Sequence, residues 1–125
     1  MVYFTKSRQT ERFIEKVEKK ISINKYRIHI DSKKFEFNNY ILVTPTYFFG
    51  GIPVEVKNFL DKHSNGMIAV MSSGNRNWGN NFAKSGELIS KIYDVDLIGK
   101  YELSGTESDV NKLLDYINNN FRNKV

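Results

Sequence analysis

Met67–Phe82 reads M-I-A-V-M-S-S-G-N-R-N-W-G-N-N-F, and the rest of the chain is best read outward from it. Five apolar residues, Met67 to Met71, predict a short strand covered on both faces. The run stops at Ser72-Ser73-Gly74, and ten residues pass before helical patterning resumes at Phe82. Those ten hold two Gly, four Asn, one Arg and the only Trp of the protein. A connection that merely turns the chain needs about two to six residues. A longer, polar loop carrying a flat aromatic, at the carboxyl end of a buried strand, stands where open α/β sheets bind ligands. It reads as one wall of a site for a planar ligand.

The remaining elements follow in order. Val2–Phe4 predicts a first strand, and Phe13, Ile14, Val17 and Ile21 stripe a helix after it, with Lys19-Lys20 in its last turn. Lys25–Ile30 alternates Tyr26, Ile28 and Ile30 against Arg27 and His29, the pattern of a half-covered edge strand. Tyr40–Thr44 predicts a buried strand, and Pro53 opens a helix carrying Val56, Phe59 and Leu60. A third helix holds Phe82, Leu88, Ile89 and Ile92, with Gly86 inside it as a point of close packing. Val95–Leu103 holds a fifth strand, and Val110, Leu113, Leu114, Ile117 and Phe121 stripe the last helix. The order is β-α-β-β-α-β-α-β-α, which lacks a helix between strands two and three. Either Asp31–Asn38 crosses over irregularly, or strand two turns back as an antiparallel edge. Eight residues are short for a parallel crossover, which usually takes about a dozen or more. Right-handed βα units otherwise give a three-layer α-β-α sandwich with a five-stranded parallel sheet in the flavodoxin-like order 2-1-3-4-5.

Composition narrows the function classes. With 125 residues, a single domain over 1–125 is expected. Hydrophobic residues at 40% and charged residues at 26% are ordinary globular values. No apolar run is long enough to span a membrane. Met1-Val2-Tyr3-Phe4 is already strand-like, with no signal peptide ahead of it, so a cytoplasmic location is expected. Cysteine is absent, which removes disulfides, thiolate metal sites and cysteine nucleophiles together. The charge of +5 comes without a basic stripe interleaved with aromatics, so nucleic acid is not an expected partner. No nucleophile elbow, zinc-protease helix or Walker loop occurs. His29 and His63 have no metal-like spacing, and Glu11, Glu15, Glu55 and Asp61 read as solvated helix faces. Any chemistry falls to a cofactor.

Two further loops share the rim of the sheet with the Asn-rich one. Thr5–Thr10 offers the hydroxyls of Thr5, Ser7 and Thr10, the charges of Lys6 and Arg8, and free N–H groups at a helix start. That combination suits a phosphate; the alternative is a plain cap made by Thr10. Thr46-Tyr47-Phe48-Phe49-Gly50-Gly51 sets three aromatics beside paired glycines. Three adjacent rings leave at least one at the surface, where it can stack on a flat ligand; otherwise they plug the end of the sheet. In the third loop, Ser73, Asn75, Asn77 and Trp78 suit the polar edge of a heteroaromatic ring, or a partner contact.

V-Y-F with T-K-S-R-Q-T-E-R-F, then T-P-T-Y-x-x-G-G-x-P, S-S-G-N-R-N-W-G-N-N-F-A and E-L-S-G-T, together resemble the NrdI family over nearly the whole chain. These are small flavodoxin-like FMN proteins that serve class Ib ribonucleotide reductase. The resemblance implies that FMN hydroquinone reduces dioxygen and that superoxide passes to the dimanganese small subunit of the reductase for tyrosyl-radical assembly. It implies a flavodoxin reductase or similar reductant as a second partner. It places Thr5, Ser7, Gln9 and Thr10 on the phosphate loop, Tyr47 on the flavin-stacking position, and Ser73, Gly74, Asn75, Asn77, Trp78 and Gly79 on the third flavin loop. With neighbours, the candidate cofactor-binding set is Thr5, Lys6, Ser7, Arg8, Gln9, Thr10, Thr46, Tyr47, Phe48, Gly50, Ser73, Gly74, Asn75, Asn77, Trp78 and Gly79. The chain departs from the family's S-x-T-G-N-T: Arg8 stands for Gly and Gln9 for Asn, so a different loop path is expected, since arginine takes positive φ less cheaply. Two other functions fit the same residues, a general flavodoxin-type electron carrier and a non-flavin interaction module using Arg76, Trp78 and the aromatic trio. A Gly74→Val change is expected to fill the space of the ring edge with little loss of fold.

Overall fold

The computed structural model of the protein describes residues 1–5, 8–28, 38–47 and 51–120. Its elements are β1 (Val2–Tyr3), α1 (Gln9–Glu18), β2 (Tyr26–Arg27), β3 (Tyr40–Thr44), α2 (Val54–His63), β4 (Met67–Ser73), α3 (Lys84–Tyr93), β5 (Asp96–Tyr101) and α4 (Glu107–Asn120). A 3₁₀ turn occupies Ser64–Gly66, and two more, joined across a kink at Gly79, occupy Arg76–Asn81. The five strands form one sheet in the order β2-β1-β3-β4-β5. Every pairing is parallel. This is the flavodoxin-like order expected from the sequence.

Side chains alternate between the two faces along β1 and β3, and from Ala69 onward in β4, and build two cores. Val2, Phe4, Leu42, Met67 and Val70 pack with Val56, Phe59 and Leu60 of α2 and Ile89 of α3. Tyr3, Ile41, Val43, Ala69 and Met71 pack with Phe13, Ile14 and Val17 of α1 and with Val110 and Leu113 of α4. Period-two alternation therefore sorts the helices into two layers around the sheet. β3 is buried at all five positions, as its unbroken Y-I-L-V-T run requires.

The connection between strands two and three is settled in direction. β2 pairs parallel to β1, with Val2 opposite Tyr26 and Tyr3 opposite Arg27, so the antiparallel edge is excluded. β2 holds Tyr26–Arg27, and twelve residues, 28–39, separate it from β3 in the sequence. That is the length a parallel crossover needs. The expected continuation through His29 and Ile30, like Phe121 of the last helix, lies outside the described residues.

Several boundaries differ from the sequence reading. β1 ends at Tyr3, one residue short of Phe4, and β5 spans Asp96–Tyr101, so Leu103 lies beyond the strand expected over Val95–Leu103. α1 ends at Glu18, so Lys16 is the cation of its last turn and Lys19 follows as the cap. Pro53 is the residue before α2, not its first. α3 begins at Lys84, and Phe82 instead lies under the Arg76 guanidinium, 4.7 Å from its ring centre. Gly86 is the expected close approach: a Cβ there would fall 2.9 Å from both Ser72 Cβ and Leu97 Cδ1. Among the described residues no helix is long and apolar enough to cross a membrane.

Candidate functional site

The parallel order brings the exits of β1, β3, β4 and β5 to one edge of the sheet, and a cleft of about 480 Å³ opens there. Its lining is Thr5, Gln9, Thr10, Pro45, Thr46, Tyr47, Ser73, Gly74, Asn75, Trp78 and Leu103. All three loops singled out in the sequence contribute. Its volume is in the range of small-molecule sites, about 300–1,000 Å³.

At the first loop, Thr5 is buried, and its Oγ1 accepts the Arg8 N–H at 3.1 Å. One donor proton of the hydroxyl is left for the cleft. Arg8 sits just before α1 with φ 69°, so arginine itself takes the left-handed geometry that glycine adopts more cheaply; the loop path before it, through Lys6 and Ser7, lies outside the described residues. The Arg8 side chain turns to Glu11, with Nε 3.4 Å from Oε2, and not to the cleft. Glu11 also reaches Arg27 at 3.8 Å, so it is a shared partner of two cations and not a merely solvated face. Among the described residues no side-chain cap bond closes the start of α1, and Thr10 lies inside the helix, which excludes the plain cap by Thr10. The first bond at the helix start is Arg12 N–H to Arg8 O at 2.9 Å. Helix geometry leaves the N–H groups before it without intrahelical partners, at the positive end of the dipole.

Behind this loop, Tyr101 is fully buried and stacks on Phe13, with ring centres 4.3 Å apart and planes 16° apart. Burial pushes its hydroxyl far above the usual tyrosine range, an effect that the hydroxyls of Thr10 and Ser73 partly oppose. No contact of the Tyr101 hydroxyl reaches hydrogen-bond geometry among the described residues. A buried hydroxyl in that state costs about 1–3 kcal/mol. Thr10 and Ser73 both line the cleft, whereas the Tyr101 hydroxyl is buried behind them and does not.

In the second loop, Tyr47 and Gly51 exchange backbone bonds, N–H to O at 2.9 and 2.7 Å. Tyr47 meets Phe4 edge-on at 6.2 Å. Its hydroxyl is raised to about 12, first by burial and then by the charge of Glu55. Glu55, read as a solvated face, has a buried carboxylate oxygen. Thr46 lines the cleft, yet its hydroxyl is engaged with Ser85: Oγ1 and Ser85 Oγ are 2.8 Å apart, and Ser85 N–H donates to Oγ1 at 3.3 Å. Thr46 thus ties the second loop to the start of α3.

The third loop is braced from inside. Asn75 Oδ1 accepts the Asn77 N–H at 2.8 Å, and Asn75 O accepts the Trp78 N–H at 3.0 Å. Gly79 is a kink at φ 56°, exposed to solvent. Asn77 and Gly79 shape this loop but do not line the cleft. Gly74 approaches backbone: a Cβ there would fall 2.5 Å from Ala83 N and 2.9 Å from Ala83 Cα. Its smallness serves the packing of the loop on the α3 entry, so the expectation that Gly74→Val spares the fold does not hold. Lys6, Ser7, Phe48 and Gly50 lie outside the described residues. Two lining residues were missed, Pro45 and Leu103. Pro45 follows β3 directly, and Leu103 follows β5 inside E-L-S-G-T, where an apolar residue in a turn was the available signal. Among the described residues no cluster of three or more His, Asp or Glu could hold a metal ion.

Comparison with known proteins bears on this cleft. The family described as "NrdI Flavodoxin like" matches residues 1–115. Protein NrdI of Macrococcus caseolyticus is 42% identical over 110 residues, which is 88% of this chain and 81% of that protein. Protein NrdI of Bacillus licheniformis is 40% identical over 114 residues, covering 88% of this chain and 80% of that one. In three dimensions the chain is similar to oxidised Flavodoxin 1 from Bacillus cereus, with a TM-score of 0.67 at 23% identity over 93% of this chain and 91% of that one. That likeness concerns the fold alone. The match over residues 1–115 and the two relatives near 40% identity show that the chain belongs to the NrdI flavodoxin-like family.

Proposed function

We propose that this cleft binds FMN and that the protein is a flavin redox activator of a class Ib ribonucleotide reductase. The observation that carries the reading is the cleft itself. One end has an uncapped helix start with Thr5 and Thr10, and the other has Tyr47, Asn75 and Trp78, all lining the same volume. The donor set fits: hydroxyls and orphan N–H groups for a phosphate, aromatic and amide side chains for a ring. When bound, FMN supplies the redox chemistry, passing electrons one at a time to dioxygen to give superoxide for a dimanganese centre.

The chain's own part is to bind and orient. Thr5, with its oxygen committed to Arg8 N–H, is fixed in one rotamer to donate into the cleft. Thr10 and Ser73 stand over the Tyr101 hydroxyl, so an anion there gains donors held by buried packing. Tyr47 offers a ring held by Phe4 and by the Gly51 bridge. No described side chain in the lining is a carboxylate or a histidine. The net charge of +5 lowers the electrostatic penalty on a reduced, anionic flavin.

FMN titration of the purified chain, followed by quenching of flavin fluorescence, tests the binding; absence of saturable binding refutes it. Oxygen consumption by the reduced protein, with and without a manganese-loaded small subunit, tests the task. An unchanged rate and no radical formed in the subunit would favour the general electron carrier.

A further inference from the structure

The E-L-S-G-T segment forms a fourth side of the cleft, and it holds a residue in an unfavourable state. Leu103 is 67% exposed and has φ 57°. Hydrocarbon is shown to water, and the Cβ of a leucine crowds its own backbone in the left-handed region. Glycine or asparagine would make such a turn at lower cost.

The turn is held from several sides. Gly105 N–H donates to Glu102 O at 3.0 Å, and Gly74 N–H donates to Tyr101 O at 3.1 Å. Lys16 Nζ donates to Ser104 O at 3.1 Å and to Gly105 O at 2.7 Å. Arg76 N–H donates to Glu102 Oε2 at 2.9 Å. Gly105, at φ 77°, lies so close to α1 that a Cβ would fall 2.6 Å from Phe13 Cδ1. A fixed frame therefore presents Leu103 to the cleft, whose lining it shares with Gln9, Asn75 and Trp78.

We propose that Leu103 is a flavin-contacting residue, its side chain covering apolar surface of the bound cofactor. This rests on the FMN reading above and adds a fourth wall to it. Strained, over-determined residues cluster at ligand sites. At 67% exposed, Leu103 buries little hydrocarbon within the chain itself, and it gains burial when a ligand lies against it. Affinity and stability therefore respond to its replacement in opposite directions.

The test uses the full chain stripped of flavin, with FMN affinity read by fluorescence quenching and stability of the flavin-free protein read by the urea midpoint. Leu103→Asn keeps a residue that tolerates the left-handed region and removes the hydrocarbon. It is expected to bind FMN roughly tenfold more weakly, a change of about 1.4 kcal/mol, with a flavin-free midpoint equal to or above the parent's. Leu103→Met, which keeps an apolar chain, is expected to stay within about threefold of the parent's affinity. Parental affinity in Leu103→Asn overturns the proposal and leaves the FMN reading standing. A lowered midpoint in Leu103→Asn, with the affinity loss repeated in Leu103→Met, marks Leu103 as structural and overturns it too. A parent chain that does not bind FMN overturns the underlying reading itself.

Discussion

The backbone N–H of Arg76 donates to the Glu102 carboxylate at 2.9 Å, and the Arg76 Nε lies 3.8 Å from the other carboxylate oxygen. One side chain leaving β5 therefore holds the Asn-rich loop after β4. The same arginine covers the Phe82 ring, so the loop is pinned at its start and its end. Arg76 is 61% exposed and Glu102 35%, so water and salt screen the charge part of the link. Glu102→Ala is expected to lower stability by only about 0.5–1 kcal/mol, but to weaken FMN binding several-fold by releasing Asn75 and Trp78. Glu102→Gln keeps an acceptor for the N–H and is expected to bind nearly as the parent does. Urea melts beside FMN titrations of both variants check this; equal affinity in Glu102→Ala and parent refutes the pin.

Arg8 holds φ 69° at the start of α1. The left-handed region costs a side-chain-bearing residue about 1–2 kcal/mol. Glycine there gives back about 0.4–1 kcal/mol through its freer unfolded chain. The Arg8–Glu11 pair, with Arg8 64% exposed, adds little. Arg8→Gly is therefore expected to raise stability slightly, by about 0.5 kcal/mol as the balance of these effects, and to leave FMN affinity within about threefold because Arg8 already holds a φ that glycine takes freely. A urea midpoint well below the parent's would show that the Arg8 side chain braces the loop.

What could be read from the sequence had a local physical signature. The sheet order follows from β3 and β4, whose unbroken apolar runs place them in the middle, and from helices whose stripes repeat at 3.6 residues. The three loops were legible for different reasons: hydroxyls and cations at a helix start in the first, three adjacent aromatics beside paired glycines in the second, and excess length with a Trp in the third. Phe82 was placed in a helix because an apolar residue in front of Ala-Lys-Ser matches the periodic pattern; its cation–π contact with Arg76 depends on a 3₁₀ turn that no periodicity encodes. Leu103 and Glu55 were missed for a related reason. An exposed leucine in a turn and a half-buried glutamate on a helix look ordinary until the packing of other segments shows what lies beside them.

Gly74 was expected to be a probe of the flavin edge, and its surroundings give it a different role. The hypothetical Cβ meets the backbone of Ala83, and Ala83 is itself fully buried at φ 49°. Backbone cannot swing aside as a side-chain tip can. Gly74→Ala is therefore expected to cost about 1–3 kcal/mol by overpacking, and Gly74→Val more. Trp78→Ala, on a half-buried surface ring, is expected to spare the fold and weaken FMN binding. Parallel urea melts and FMN titrations separate the two: a Gly74→Ala chain as stable as the parent would show that the Ala83 backbone yields.

Alkaline pH offers a check on the second loop. Burial, then the charge of Glu55, raises the Tyr47 hydroxyl to about 12. In the unfolded chain a tyrosine titrates near its ordinary value of about 10. Between these values the folded state holds a proton that the unfolded state has lost, so stability falls as pH rises. The contribution is fully present below about pH 10 and is lost as pH climbs toward about 12. Tyr116, raised to about 12 by burial and by its bond to Asp96, acts with the same sign. Tyr47→Phe in a Tyr116→Phe background removes both terms in turn, and each removal is expected to flatten the fall in urea midpoint between about pH 10 and 12. If the slope in that window is the same with and without the Tyr47 hydroxyl, its proton is not held by the buried setting beside Glu55.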